Sequence, residues 1–339
     1  EESLPLLRNL FLSRMLDGHV PRERMAELSA RYDAELGGGE LVVALLYVGV
    51  ADQSELTALS VQQLLEEHLH PAGCACRSFP YNESVAKGLL EPYEAKNASH
   101  LLGDMYRDKD GCWYGIYKGI LGFMVNTDEL TRLGLEAPQD WADLLKPEYQ
   151  GLVWLSNYNT AGTAKLVLNT MIQMYGHDEG IKYLVDLDKN IEVYTKSGSG
   201  PSKNVGSGEC VIGIGFLHDG ITQIVDNGYE NVQLIIPSSG TSFEIGATAI
   251  FKGAAHPNAA KLWIEYALSP DCVNLAAQNG SYQFLVIDNA TQPEVAAEFG
   301  LDPENVMDYD FEDAKNNIKT YVEEVMNALG GGDDRFKTE

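Results

Sequence analysis

From Leu41 onward, short apolar runs alternate with amphipathic stretches of helical period. That alternation narrows the fold to an α/β architecture, a parallel sheet with crossover helices. ELVVALLYV (40–48) is a buried-strand run, SELTALSVQQLLEEHL (54–69) an amphipathic helix and CACRSF (74–79) a second strand. GILGFMVNT (119–127), GLVWLS (151–156), VIGIGFL (211–217), VQLIIPS (232–238) and FEIGATAIF (243–251) repeat the strand pattern. TAKLVLNTMIQMYG (163–176) and HPNAAKLWIEYALSP (256–270) repeat the helical one, the latter with Pro257 near its start and Pro270 beyond its end. A last helix carries Ile318, Val322, Val325 and Leu329 on one face and stops at Gly330, before a charged, frayed tail at 330–339. With 339 residues the chain is long enough for two lobes of roughly 150 residues each.

Charge limits the partners. Lys plus Arg is 24 and Asp plus Glu is 50, a net charge of 24 − 50 = −26, the wrong sign for phosphate backbones or anionic lipid. No nucleic acid partner is expected. The longest apolar stretch, Leu41 to Ala51, is well short of the roughly 20 residues that span a bilayer, so no membrane insertion is expected. The opening Glu1-Glu2-Ser3 has no basic region and no cleavage site, and no signal peptide is expected. Of five cysteines only Cys74 and Cys76 are close, which is not a disulfide framework. No second Cys or His pair sits at zinc-finger spacing, so these two read as ordinary thiols and neither metal nor cofactor is expected.

Residues 4–35 read as two helices broken at Asp17-Gly18 and Pro21, with Gly37 to Gly39 as a joint. This prefix resembles the helical linker of bacterial response regulators. From Gly88 to Val286 the chain resembles the class II periplasmic solute-binding proteins of ABC transporters, in the branch of ferric-ion and hexose-phosphate binders. The likeness rests on ordered segments: GLLEPYEAKNA, YKGILGFMVNTDEL, LKPEYQGLVWLSNYNTAGTA, YTKSGSGPSKNVGSGE, GIGFLHD, GTSFEIGATAIFKGA and PNAAKLWIEYALSP. GILGF, GIGFLHD and the glutamate of FEIG draw it toward the hexose-phosphate side. The resemblance implies two α/β lobes hinged by strands crossing near 118–122 and 244–249. Lobe one would comprise 40–119 plus 247–329 and lobe two 120–246, behind a prefix at 1–39. It further implies a monomer, located outside the cytoplasm, that hands a small anionic ligand to an ABC permease or reports it to a sensor kinase or regulator. The five cysteines, with no signal peptide visible, leave a cytoplasmic location as the alternative. Between CACRSF and GLLEPYE the chain is roughly thirty residues shorter than the family pattern, so lobe one is expected to be abbreviated.

Four features carry candidate binding chemistry, and no catalytic one is expected. Thr160-Ala161-Gly162-Thr163-Ala164 follows a strand and opens a helix, where bare N–H groups and the helix dipole favour an anion. The bland alternative is that Thr160 only caps the helix. His218-Asp219 ends a strand at its mouth, and imidazole plus carboxylate suits vicinal hydroxyls; alternatively Asp219 caps the next helix and His218 is solvated. Glu244 is a charge between Phe243 and Ile245, costly unless paired or facing a wet cleft, or else an edge-strand charge facing solvent. Lys203 stands where relatives carry a basic residue, or is an ordinary surface lysine. These residues together suit a phosphorylated sugar. Ferric ion is the runner-up; ferric binders of this branch use consecutive tyrosines, and none of the 17 here adjoins another.

Overall fold

The computed structural model describes Val85, residues 87–330 and residues 334–336. The prefix, the runs at 40–79, Cys74, Cys76 and the shortened part of lobe one lie outside the described residues. The described chain runs β1 (Trp113–Asn126), α1 (Thr127–Leu133), β2 (Val153–Ser156), α2 (Gly162–Tyr175), α3 (His177–Asp188), β3 (Ile191–Thr195), α4 (Gly200–Val205) and β4 (Ile212–Phe216). It continues through α5 (Leu217–Val225), β5 (Val232–Ile235), β6 (Phe243–Ala249), α6 (Pro257–Ala267), α7 (Pro270–Val273), α8 (Leu275–Gln278), β7 (Phe284–Leu285), α9 (Glu294–Glu298) and α10 (Phe311–Ala328). Cys112, Cys210 and Cys272 are buried and outside any disulfide.

β1 organises everything else. Its second half lies in a sheet of order β3-β2-β4-β1-β5, with β2 parallel to β3 and β4, and β1 antiparallel to β4 and β5. Its first half pairs antiparallel with β6 and, at Tyr117 and Lys118, with β7. The exchange of partners falls between Ile120, opposite Phe243, and Leu121, opposite Phe216. Side chains alternate across a strand, so Leu121, Phe123 and Val125 enter one core with Trp141, Leu155 and Leu184. Ile120 and Met124 enter another with Val205, Leu217 and Ile221. Covered on both faces, this part of β1 reads as an unbroken apolar run rather than an alternating one.

α2 follows from its sequence: Val167 and Met171 are buried, and the helix stops at Gly176, whose φ of 86° suits glycine. α10 begins where the Asp310 carboxylate accepts from the N–H groups of Glu312 and Asp313. Val325 is buried, and Ile318, Val322 and Leu329 pack against the same core, the face the spacing predicts. α10 rests on α2 and α3, although the sequence reading placed it with lobe one. Gln173 donates to the Asp310 carbonyl at 2.9 Å, and His177 meets Glu324 at 2.7 Å.

The expectation of a frayed tail is corrected at 334–336. Phe336 is buried with its ring 4.4 Å from that of Tyr194, Asn157 donates to its carbonyl, and Arg335 pairs with Asp188 at 3.1 Å. An aromatic residue among charges finds an apolar wall, and the adjacent arginine finds a carboxylate. α3 and β3 are also additions to the sequence reading; in β3 the exposed Glu192 interrupts the apolar pattern that marks the other strands.

Candidate functional site

Because β2, β3 and β4 are parallel, their carboxyl ends open on one side of the sheet, and each leads into a helix there: α2, α4 and α5. In open α/β sheets that side is where ligands bind.

After β2, the N–H groups of Thr160 and Ala161 both donate to the Asn157 carbonyl and turn the chain. Ala161 is the N-cap of α2 and no side chain caps the helix, which sets aside the capping alternative for Thr160. The first N–H groups of α2, from Gly162 to Ala164, have no acceptor within the helix. The Thr160 hydroxyl donates to the Lys196 carbonyl at 2.8 Å, so it ties this loop to the one after β3 and its proton is spent there. Thr163 is buried against that second loop: a Cβ on Gly198 would lie 2.3 Å from the Thr163 Oγ1. The same loop reaches β4, since the Gly198 carbonyl oxygen is 3.9 Å from where a Cβ on Gly215 would stand. Lys203 is exposed, about one turn along α4 from its start.

The second group gathers at the end of β4. His218, in the first turn of α5, is buried, stacked on Phe216 at 5.4 Å and edge-on to Tyr117 at 6.3 Å. Its Nδ1 has no hydrogen-bond partner among the described residues, and its Nε2 is 3.6 Å from the Asp219 carboxylate, too long for a hydrogen bond. Burial pushes the imidazole below its ordinary range, against the pull of Asp219, so at neutral pH the ring is neutral. Glu244 arrives on β6 directly opposite Gly119 of β1. A Cβ on Gly119 would lie 2.8 Å from the His218 ring and 3.3 Å from the Glu244 side chain, so that glycine makes room for both. Burial, and then the neighbouring Asp219 charge, push the half-buried Glu244 carboxyl up to about 7, while a hydrogen bond from Tyr117 draws it down. The solvent-facing alternative for Glu244 and the solvated-loop alternative for His218 do not describe this arrangement.

Thus the structure brings His218, Asp219 and Glu244 together and Thr160 and Thr163 against the loop after β3, both groups at one end of the same sheet. Tyr117, Gly119 and Gly198 were missed by the sequence reading. No motif marks them, because their roles depend on what lies across the sheet.

Residues 80–317 match the family described as bacterial extracellular solute-binding protein. An uncharacterized protein of Haemophilus influenzae is 36% identical over 257 residues, 73% of each chain. The phosphoglycerate transport regulatory protein PgtC of Salmonella typhimurium is 26% identical over 195 residues, 56% of this chain and 47% of that one. Among solved structures, the periplasmic binding protein AfuA of Actinobacillus pleuropneumoniae, with fructose-6-phosphate bound, superposes with a TM-score of 0.67 and 32% identity, over 73% of this chain and 78% of that one. A ferric binding protein from Campylobacter jejuni gives 0.61 at 21%, over 73% and 80%, a likeness of fold alone. No helix among the described residues is long and apolar enough to cross a membrane. With its mixed α/β sheet and this match over most of its length, the chain belongs to the bacterial extracellular solute-binding proteins, with the two-lobed class II fold of periplasmic binding proteins.

Proposed function

We propose that the protein captures a phosphorylated sugar in a cleft between its lobes and, outside the cytoplasm, delivers it to an ABC-type permease. The phosphate sits at Thr160 to Ala164, where α2 offers uncapped N–H groups, and Lys203 offsets part of the protein's negative field there. Sugar hydroxyls reach His218, Asp219 and Glu244. Lobe two is the 120–246 insert with α10 resting on it, and lobe one is the remainder from residue 40. β1 and β6, which cross between them, are the hinge, and ligand favours the closed state. The observation that carries this reading is the buried His218 Nδ1, without a hydrogen-bond partner among the described residues, set beside Glu244 at the end of β4. An unsatisfied buried polar group costs about 1–3 kcal/mol, which a hydrogen bond from a ligand hydroxyl offsets. The 32% identity to a protein whose solved structure holds fructose-6-phosphate supports the same ligand class.

Calorimetry with glucose and glucose 6-phosphate tests it. The phosphate ester is expected to bind far more tightly. Rising salt should leave that affinity unchanged or improve it, since screening weakens the unfavourable field of a chain of net charge −26 while contacts in the closed cleft are screened less. Thr163→Val removes one hydroxyl, and is expected to weaken the ester while leaving glucose nearly untouched. Tighter binding of plain glucose, or equal losses for both ligands, removes the anion site. A tyrosinate charge-transfer band on adding ferric ion would move the reading to iron.

A further inference from the structure

β1 and β6 present two glycines and two functional residues on one face of their shared ribbon. In register, Tyr117 lies opposite Gly246 and Gly119 opposite Glu244. Residues two apart on a strand share a face, so all four point to the same side, while Lys118, Ile245, Ile120 and Phe243 point to the other. Each glycine is filled by a ring from elsewhere. A Cβ on Gly246 would lie 2.1 Å from the Tyr117 ring, and one on Gly119 would lie 2.8 Å from the His218 ring. The Glu244 side chain lies 3.3 Å from where a Cβ on Gly119 would stand, and the Tyr117 hydroxyl hydrogen-bonds to its carboxylate.

We propose that Tyr117 is a positioning residue of the ligand site: lying across Gly246, it holds the Glu244 carboxylate toward His218 and Asp219, where ligand hydroxyls arrive. This rests on the reading of the site given above. Among the described residues, the groups facing Glu244 are Tyr117 from β1 and His218 and Asp219 from α5. Lys118, on the opposite face, donates to the Pro303 carbonyl and lies 4.5 Å from the Phe243 ring, so it does not neutralise Glu244. Among the described residues, Asp219 opposes ionisation of Glu244, the neutral His218 ring adds no charge, and the tyrosine hydroxyl favours the charged acceptor. A ligand hydroxyl donates to a carboxylate more strongly than to a neutral carboxyl group.

The test is Tyr117→Phe, which keeps the ring over Gly246 and deletes only the hydroxyl. The titration of the Glu244 carboxyl is followed by ¹³C NMR in the ligand-free protein, its resonance assigned by its loss in Glu244→Gln. Its midpoint is expected to rise by about half to one pH unit in Tyr117→Phe. Calorimetry with glucose 6-phosphate should then show about two- to fivefold weaker binding at pH 7 and wild-type affinity at pH 9, where both proteins carry the charged group. The phosphate of the ligand titrates too, but equally for both proteins. An unmoved midpoint, or a loss of affinity equal at both pH values, overturns the proposal and leaves Tyr117 a packing residue. If wild type does not bind the sugar phosphate while the midpoint still moves, the ligand assignment fails and the role of Tyr117 toward Glu244 stands.

Discussion

Glu244→Gln is expected to weaken glucose 6-phosphate binding by about 1.5–3 kcal/mol, the worth of hydrogen bonds to a charged group, which is roughly ten- to a hundredfold in affinity. The same variant is expected to be at least as heat-stable as wild type at pH 8. The two outcomes have one cause. Glu244 is held at about 7, above the ordinary carboxylate range, first by burial and then by Asp219. A carboxyl that ionises at higher pH in the folded chain than in the unfolded chain favours protonation on folding. Its charge is therefore a cost to stability, present in full above about pH 7 and gone once pH falls below the ordinary carboxylate range. Glutamine carries no charge and removes that cost. Calorimetry and a melting curve at pH 8, repeated near pH 4 where the stability gain should vanish, check both halves. Unchanged affinity would move the sugar site elsewhere, and a lowered melting temperature at pH 8 would make Glu244 a structural residue instead.

Trp141→Ala is expected to cost about 3–5 kcal/mol of stability, the range for removing a large buried aromatic side chain. Trp141 is 0% exposed. Its indole N–H donates to the Gly240 carbonyl at 2.9 Å, its own carbonyl accepts from the Tyr183 hydroxyl at 2.6 Å, and its ring meets Phe123 edge-on at 4.8 Å. The side chain thereby joins β1 to the turn before β6, and the backbone carbonyl ties the same residue to α3. Its removal leaves a cavity at that junction and an unpaired carbonyl at Gly240. Urea unfolding of both proteins measures it, and a loss under about 1 kcal/mol would show that the surrounding core collapses onto the gap.

Much of the candidate site was legible because its residues stand at the ends of strands. Thr160 to Ala164 announced themselves as small residues between an apolar strand and a helix, and His218-Asp219 as polar residues closing an apolar run. Glu244 stood out as a charge amid apolar neighbours. What the sequence reading gave wrongly or not at all concerns contacts between distant segments. The Thr160 hydroxyl had no partner in the sequence, and its proton goes to the Lys196 carbonyl. The tail was read as frayed from its charge, yet Phe336 finds Tyr194.

By itself, the sequence determined the α/β class, the placing of most described strands and of α2, α6 and α10, the stop at Gly176 and the family, and it singled out candidate residues for an anion or a sugar. Those features follow from side-chain periodicity and from the backbone preferences of single residues, which act over a turn or a few residues. Only the tertiary structure decided that Gly119 faces Glu244, that Tyr117 lies across Gly246, and that the loop after β3 closes on Thr163. Register is fixed by which long-range pairing buries both faces of β1 at once, and a slip of one residue would turn Glu244 to the opposite face. That choice is made by all the packed elements together, and no local stretch of the chain contains it.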